Sequence, residues 1–218
     1  MKYHHGVLTI GLIILLVCIV GCTSTSPSTS QITQSPSVQP VTSAQPATYP
    51  TYPEVKLSTI EPSEMALQLS DLSANFTTIE KTGSEMSLSD VNQSSLDMGW
   101  KKGYTENIRV EGTSSIEQDI SVYPVENLYK VLAFQRNLAI QYYANGTADN
   151  SVMIDDLSNP NIGDQSQAYR ITFKSDNSKS YEIDFIKKDV FESLRMSGTI
   201  TDYETLKYIA NTAAAKII

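Results

Sequence analysis

Three groups of residues in this chain are of types and spacings that could do chemistry. Trp100, Lys101, Lys102 and Tyr104 fall within five positions and could form a binding platform through stacking and cation–π contact. A domain's only Trp more often plugs the edge of a core, with Gly99 and Gly103 serving turns. Asp155, Asp156, Asn159, Asn161 and Asp164 crowd a second stretch. Oxygen ligands of this kind suit Ca²⁺, but the spacing misses the EF-hand pattern, and turn-forming Asn and Asp account for the loop without a metal. The third group is a single sulfur, Cys22, which follows an apolar run. Three further positions, Asn75, Asn92 and Asn145, each open an Asn-x-Ser/Thr triplet, the N-glycosylation acceptor pattern.

The sulfur is placed by what precedes it. Gly6 to Val20 is uncharged and apolar over 15 residues. A bilayer-spanning helix needs about 20, so the run fits the hydrophobic region of a secretory leader. It ends Ile19-Val20-Gly21-Cys22, which resembles the lipobox of exported lipoproteins. That resemblance implies a diacylglyceryl thioether on Cys22 and cleavage before it, with 1–21 as signal peptide. An uncleaved anchor with an incidental cysteine is the plainer alternative, and it too leaves the rest of the chain outside the cytoplasm. Acyl chains bury methylenes at about 0.8 kcal/mol each.

Cleavage would remove His4, His5 and Cys18, leaving neither histidine nor free thiol. Histidine acid/base work, Ser-His-Asp triads, cysteine nucleophiles and His- or Cys-ligated zinc all need those residues. No G-x-S-x-G, P-loop or G-x-G-x-x-G is present. The expectation is a protein that is not an enzyme, with no cofactor and no metal. A carboxylate-pair hydrolase or a Ser/Lys device stays open, because Asp, Glu, Ser and Lys abound.

No charged residue lies between Lys2 and Glu54. Residues 23–53 hold 14 Ser or Thr and six Pro among 31 residues, with little to bury. The 22–53 stretch therefore reads as a disordered, lipidated tether, with a reach of roughly 90 Å at about 3.1 Å per residue. The remaining 54–218 suits one domain. The net charge of −8 argues against a nucleic-acid partner, which needs a basic face, and against polybasic adsorption to lipid.

Within 54–218, Pro62 can open a short helix through Leu69, and Phe76 to Lys81 reads as a strand. Ser87 and Asp90 look like a cap for a helix carrying Leu88, Val91 and Leu96, stopped by Gly99. Tyr104, Ile108 and Val110, then Ile116, Gln118, Ile120 and Val122, alternate around a Gly112-Thr113-Ser114 break, as in an antiparallel hairpin with one buried face. A long helix runs from Pro124 to Asn145, with Val125, Leu128, Leu132, Ala139 and Tyr142 as its core stripe, widened by Val131 and Leu138. Strands follow at Val152, at Tyr169–Phe173, at Tyr181–Phe185 and from Val190, with turns at Asp176-Asn177-Ser178 and Lys187-Lys188-Asp189. Thr201-x-x-Glu204 reads as the capping box of a last helix, its inward stripe being Leu206, Ile209, Ala210, Ala213 and Ile217. The order β-α-β-β-α-β-β-β-β-α predicts an α+β fold, one antiparallel sheet of about six strands with helices packed on it.

Residues 99–104, 116–118 with 120–124, and Ile162-Gly163-Asp164 resemble an uncharacterised family of tethered surface lipoproteins from archaea, chiefly methanogens. The element order is also similar to PsbP/Mog1-like domains. Neither resemblance carries catalytic residues. The function expected is a lipid-anchored, extracytoplasmic binding or interaction module at the cell surface, its partner an envelope protein, a glycan or a small solute. An accessory factor of a membrane complex and a carboxylate hydrolase are the alternatives.

Overall fold

The structure, a computed structural model, describes residues 57–72, 76–111, 114–145, 151–199 and 201–218. All belong to one compact unit, Thr51–Ile218. The lipobox residues Ile19, Val20, Gly21 and Cys22, the tether and Asn75 lie outside the described residues.

The elements are α1 (Pro62–Met65), β1 (Thr78–Glu85), α2 (Gln93–Asp97), β2 (Lys102–Val110), β3 (Ser114–Val122), α3 (Leu128–Asn145), β4 (Val152–Asp156), β5 (Gln165–Phe173), β6 (Lys179–Lys187), β7 (Val190–Ser197) and α4 (Tyr203–Lys216). The strands form one antiparallel sheet in the order β1-β2-β3-β7-β6-β5-β4. The fold is α+β, with seven strands where about six were expected. The short edge strand β4 pairs in full with β5. Among the described residues no helix is long and apolar enough to cross a membrane.

Period-two alternation gives the sheet two faces. One carries Ile108, Val110, Ile116, Ile120, Val122, Ile183, Phe185, Val190 and Leu194, and packs against α4 and the 65–67 segment in the main core. The inward stripe of α4 is as predicted, with Leu206, Ile209, Ala210, Ala213 and Ile217 all buried. Its cap is Asp202, one residue later than the Thr201 expected, because the Asp202 carboxylate reaches the Thr205 N–H at 2.8 Å. The other face packs against α3 through a smaller cluster of Tyr123, Leu128, Val131, Leu132, Ile186 and Phe191.

Two expected helices are shorter than predicted. Residues 62–69 make a single turn, Pro62–Met65. The segment after Ser87 is a 3₁₀ turn, Leu88–Asp90, followed by α2. Asn92 interrupts it with an extended backbone and caps α2 by accepting the Ser95 N–H at 2.9 Å. Leu88 is left exposed rather than inward.

The predicted stripe of α3 holds only in its first half. Leu128, Val131 and Leu132 are buried, whereas Leu138 and Tyr142 are 38% and 71% exposed. From about Gln135 onward the helix leans over polar strands, not an apolar core, and a groove opens beneath it.

Candidate functional site

Strand register sets the polar part of the sheet's α3 face, from which Glu117, Glu182 and Arg195 line the groove. Across the α3 face runs a row of paired residues, Asn107, Glu117, Arg195, Glu182, Tyr169 and Asp156. Beside it runs Thr105, Asp119, Ser193, Asp184 and Gln167. Each strand gives alternating polar residues, and the order β3-β7-β6 gathers them around Arg195.

Arg195 is held from two sides. Its Nε and Nη2 both donate to Glu117 Oε2, Nε at 3.0 Å, while Nη1 donates to the Tyr143 hydroxyl at 2.9 Å. Burial works against the guanidinium charge, but the Glu117 carboxylate more than compensates and keeps Arg195 firmly protonated. The fork is thereby fixed in orientation, and these three bonds leave part of its five N–H groups for other acceptors.

The neighbouring carboxyls are pushed the other way. Burial, opposed by nearby donors and by Arg195, raises Glu182, which accepts from the Ser193 hydroxyl at 3.2 Å. Asp184 is fully buried beneath α3 and accepts from Gln167 Nε2 at 2.9 Å. Burial first, then the Glu182 charge, raises its pKa too. Arg136 reaches down from α3 to Asp156 at 2.7 Å, and its guanidinium lies 5.1 Å from the Tyr169 ring centre.

Two open cavities adjoin over this face. The first, about 1010 Å³, lies between the C-terminal half of α3 and the ends of β4 and β5; its walls include Leu138, Tyr142, Val152 and Glu182. The second, about 760 Å³, follows the β5–β6 turn and the end of β7, and is lined by Glu117, Asp176, Lys179, Ser197 and Thr201 among others. Tyr143, Phe173 and Arg195 line both. The Tyr143 ring meets Tyr142 edge-on at 5.0 Å and Phe173 edge-on at 6.0 Å. The two cavities adjoin along these three residues, an aromatic waist with a fixed guanidinium beside it, and together they make up the groove.

The residues singled out from sequence are placed elsewhere. Trp100 packs against the α3-side cluster and donates to the Ser121 hydroxyl at 3.2 Å. Tyr104 packs against the main core on the opposite face. Lys101 is exposed, and Lys102 pairs with Glu61 at 2.6 Å. The structure therefore does not gather these four on one surface. The β2 pleat sends Tyr104 through to the far side, while Trp100 precedes the strand.

The oxygen-rich loop is engaged internally. Asp155 pairs with Arg170 at 2.7 Å and Asp156 with Arg136. Asn159 Oδ1 accepts from the Asn161 N–H and the Ser166 hydroxyl, and Asp164 accepts from the Lys188 N–H at 2.8 Å. Asn161 has the left-handed backbone that Asn tolerates. Among the described residues no three or more His, Cys, Asp or Glu side chains come together as a metal ion would need. Asn92 is exposed with its side-chain oxygen capping α2, and Asn145 is the last residue of α3.

No protein-family model matches the chain, and no curated protein matches it. Two solved structures are similar. One is the extracellular domain of PknH from Mycobacterium tuberculosis, at 14% identity over 71% of this chain and 93% of that one, with a TM-score of 0.47. The other is an uncharacterised protein from Mycobacterium smegmatis, the Rv0999 ortholog, at 8% identity over 72% of this chain and 96% of that one, with a TM-score of 0.43. Neither likeness carries a site residue over to this chain.

Proposed function

We propose that this protein is a lipid-anchored, extracytoplasmic binding module that is not an enzyme, and that the groove beneath α3 is its binding site. The observation that carries the binding reading is the meeting of two open cavities at Tyr143, Phe173 and Arg195. Concave sites with apolar walls and a few fixed polar groups are where ligands are held. The anchor and the compartment rest on the leader, the Ile19–Cys22 pattern and the Ser/Thr/Pro tether.

The groove's carboxyls support binding over catalysis. A glycosidase-type pair needs one free carboxylate and one protonated acid facing a common substrate. Of the carboxyls that line it, Glu117 is committed to Arg195 and Asp176 accepts the Ser178 N–H at 2.9 Å, so Glu182 has no uncommitted carboxylate as a partner.

Two experiments test the reading. Cys22→Ser should leave the leader uncleaved and the protein without its acyl chains, so that it runs at precursor size while the wild type runs at the size of 22–218 carrying lipid. A wild type of the same size as the variant, with no lipid mass on Cys22, would overturn the anchor. For the groove, a photo-crosslinking residue is placed at Tyr142 or, as a control, at Tyr208 on α4, both exposed. In intact cells the 142 probe should give a discrete adduct that the 208 probe does not. Equal yields, or none, would remove the groove as the binding site.

A further inference from the structure

The binding reading leaves open what the groove holds, and its chemistry narrows the class. Resting on that reading, we propose that the ligand is an extended, uncharged glycan chain whose sugar rings stack along Tyr142, Tyr143 and Phe173.

Shape argues for a chain. Both cavities are open, and they adjoin along Tyr143, Phe173 and Arg195. A small solute is better held in a closed pocket that buries most of its surface. An open run over the sheet suits a polymer that enters at one end and leaves at the other.

Composition argues for sugar. A pyranose offers apolar C–H faces and a rim of hydroxyls that both donate and accept. The groove offers the matching pair, with aromatic rings along the wall and short polar side chains on the floor. The second cavity is lined by Ser178, Ser180, Ser197 and Thr201 beside Asn177 and Asp176, and it also exposes Phe173 and Tyr143. Tyr142 is 71% exposed at the rim, with its neighbour Tyr143 meeting it edge-on. The Tyr142 ring is therefore held yet uncovered, as a stacking platform needs. A lipid or other wholly apolar chain would leave the Arg195–Glu117 pair and this hydroxyl-rich floor desolvated without partners, which is costly.

Charge argues for a neutral chain. The charged residues lining the two cavities are Glu117, Asp176 and Glu182 against Arg195 and Lys179, and Arg195 is paired with Glu117. The whole chain carries −8. Among the described lining residues there is thus no net positive charge to hold an acidic polysaccharide. Rigidity adds to the fit, because Arg195 is tied by three hydrogen bonds, so less ordering is required when a ligand docks.

The test uses the full-length lipidated protein in nanodiscs and saturation-transfer NMR. The probes are neutral hexasaccharides of β1,4-glucose, β1,4-N-acetylglucosamine, β1,3-glucose, α1,4-glucose and α1,6-mannose, with hexagalacturonate as the acidic comparison. At least one neutral probe should receive saturation, strongest at ring protons of the stacking face, and hexagalacturonate should not. Tyr142→Ala should weaken the neutral probe at least about tenfold, while Tyr142→Phe keeps it, since stacking needs the ring and not the hydroxyl. Lys130→Ala, on the outer side of α3, should change nothing. Saturation of none of the neutral probes, or equal binding by Tyr142→Ala, overturns the glycan assignment. If the crosslinker at position 142 then still captures a discrete component, the groove stands as a binding site and its ligand is of another class, a protein if the adduct is protease-sensitive. If neither experiment gives a signal, both readings fall.

Discussion

The protein should unfold at a higher temperature at pH 5 than at pH 8, by on the order of 10 °C, and Glu192→Gln should remove a large part of that difference. Glu192 is fully buried on the α4 face, and burial pushes its carboxyl up to about 8 against the pull of Gln118 and Lys216. In the unfolded chain the same group titrates at an ordinary value near 4.5. Between those two values the folded protein keeps a proton that the unfolded chain releases, so raising the pH draws the equilibrium toward unfolding. The stabilising contribution is complete below about 4.5 and is lost as pH rises through about 8. At about 1.36 kcal/mol per unit the upper bound is on the order of 5 kcal/mol. A chain of this size loses about 2–4 °C per kcal/mol. Asp184, Glu106 and Glu182 are raised in the same direction, each first by burial. On the acid side, Asp71 and Asp202 are lowered, Asp71 by Lys216 against the cost of its burial and Asp202 by Thr205, so their contribution fades as pH falls below 3.8. The optimum should lie between about 4 and 5. Thermal melts of the full chain and of Glu192→Gln across pH 4–9 check this. A wild-type melting temperature that is flat from pH 5 to pH 8 would refute it.

Local signals were strong where the residues themselves make the element. The β2–β3 hairpin is legible because apolar and polar residues alternate through Ile108 and Val110, then through Ile116, Ile120 and Val122, and one face is buried. The inward stripe of α4 is legible for the same reason at helical spacing. The turns at Asn177 and Lys188 are also where expected, both with left-handed backbone. The helix after Ser87 was over-read because Leu88, Val91 and Leu96 match the helical period, while Asn92 is a better cap than an interior residue.

The groove was not legible, and the reason is topological. Glu117, Glu182 and Arg195 each look like the polar half of an ordinary alternating strand, the usual mark of a solvated face. Only the pairing of β3 with β7, which brings Glu117 opposite Arg195 across 78 residues, turns three such marks into one site. Tyr142 misled in the opposite way. It falls on the apolar stripe of α3, so spacing assigned it to the core. The strands beneath that half of the helix present Glu182 and Arg195 instead of a core, and the ring is left at the rim. A polar residue at an intended core position has the same blind spot. Glu106, Gln118 and Glu192 lie on the buried face of their strands, and nothing in their own sequence windows says what satisfies them.

Gln118 ties Glu192 to the chain segment 65–67, and cutting that link is expected to cost a large part of the domain's stability. Gln118 is 1% exposed and bonds in both directions. Its Oε1 accepts the Leu67 N–H at 2.8 Å, and its Nε2 donates to Glu192 Oε1 at 2.6 Å. Around it, Lys81 donates to the Leu67 carbonyl and pairs with Glu106 at 2.9 Å. Lys216 reaches the Ala66 carbonyl at 3.2 Å and Asp71 at 2.8 Å. Met65, Ala66 and Leu67 are all buried against the sheet, so their backbone groups have no water to fall back on. Gln118→Met keeps the volume but strands the Leu67 N–H and one Glu192 oxygen. Each stranded group costs about 1–3 kcal/mol, so the variant should lose about 2–4 kcal/mol and melt about 10 °C lower. Hydrogen exchange locates the loss, because the Leu67 amide should exchange at least about tenfold faster while the α4 amides change only with global stability. Adding Glu192→Met removes one of the two stranded groups, so the double variant should recover part of the loss, with a coupling of about 0.5–3 kcal/mol. A Gln118→Met protein that melts like wild type, with the Leu67 amide still protected, would mean that the 65–67 segment is held by its apolar side chains alone.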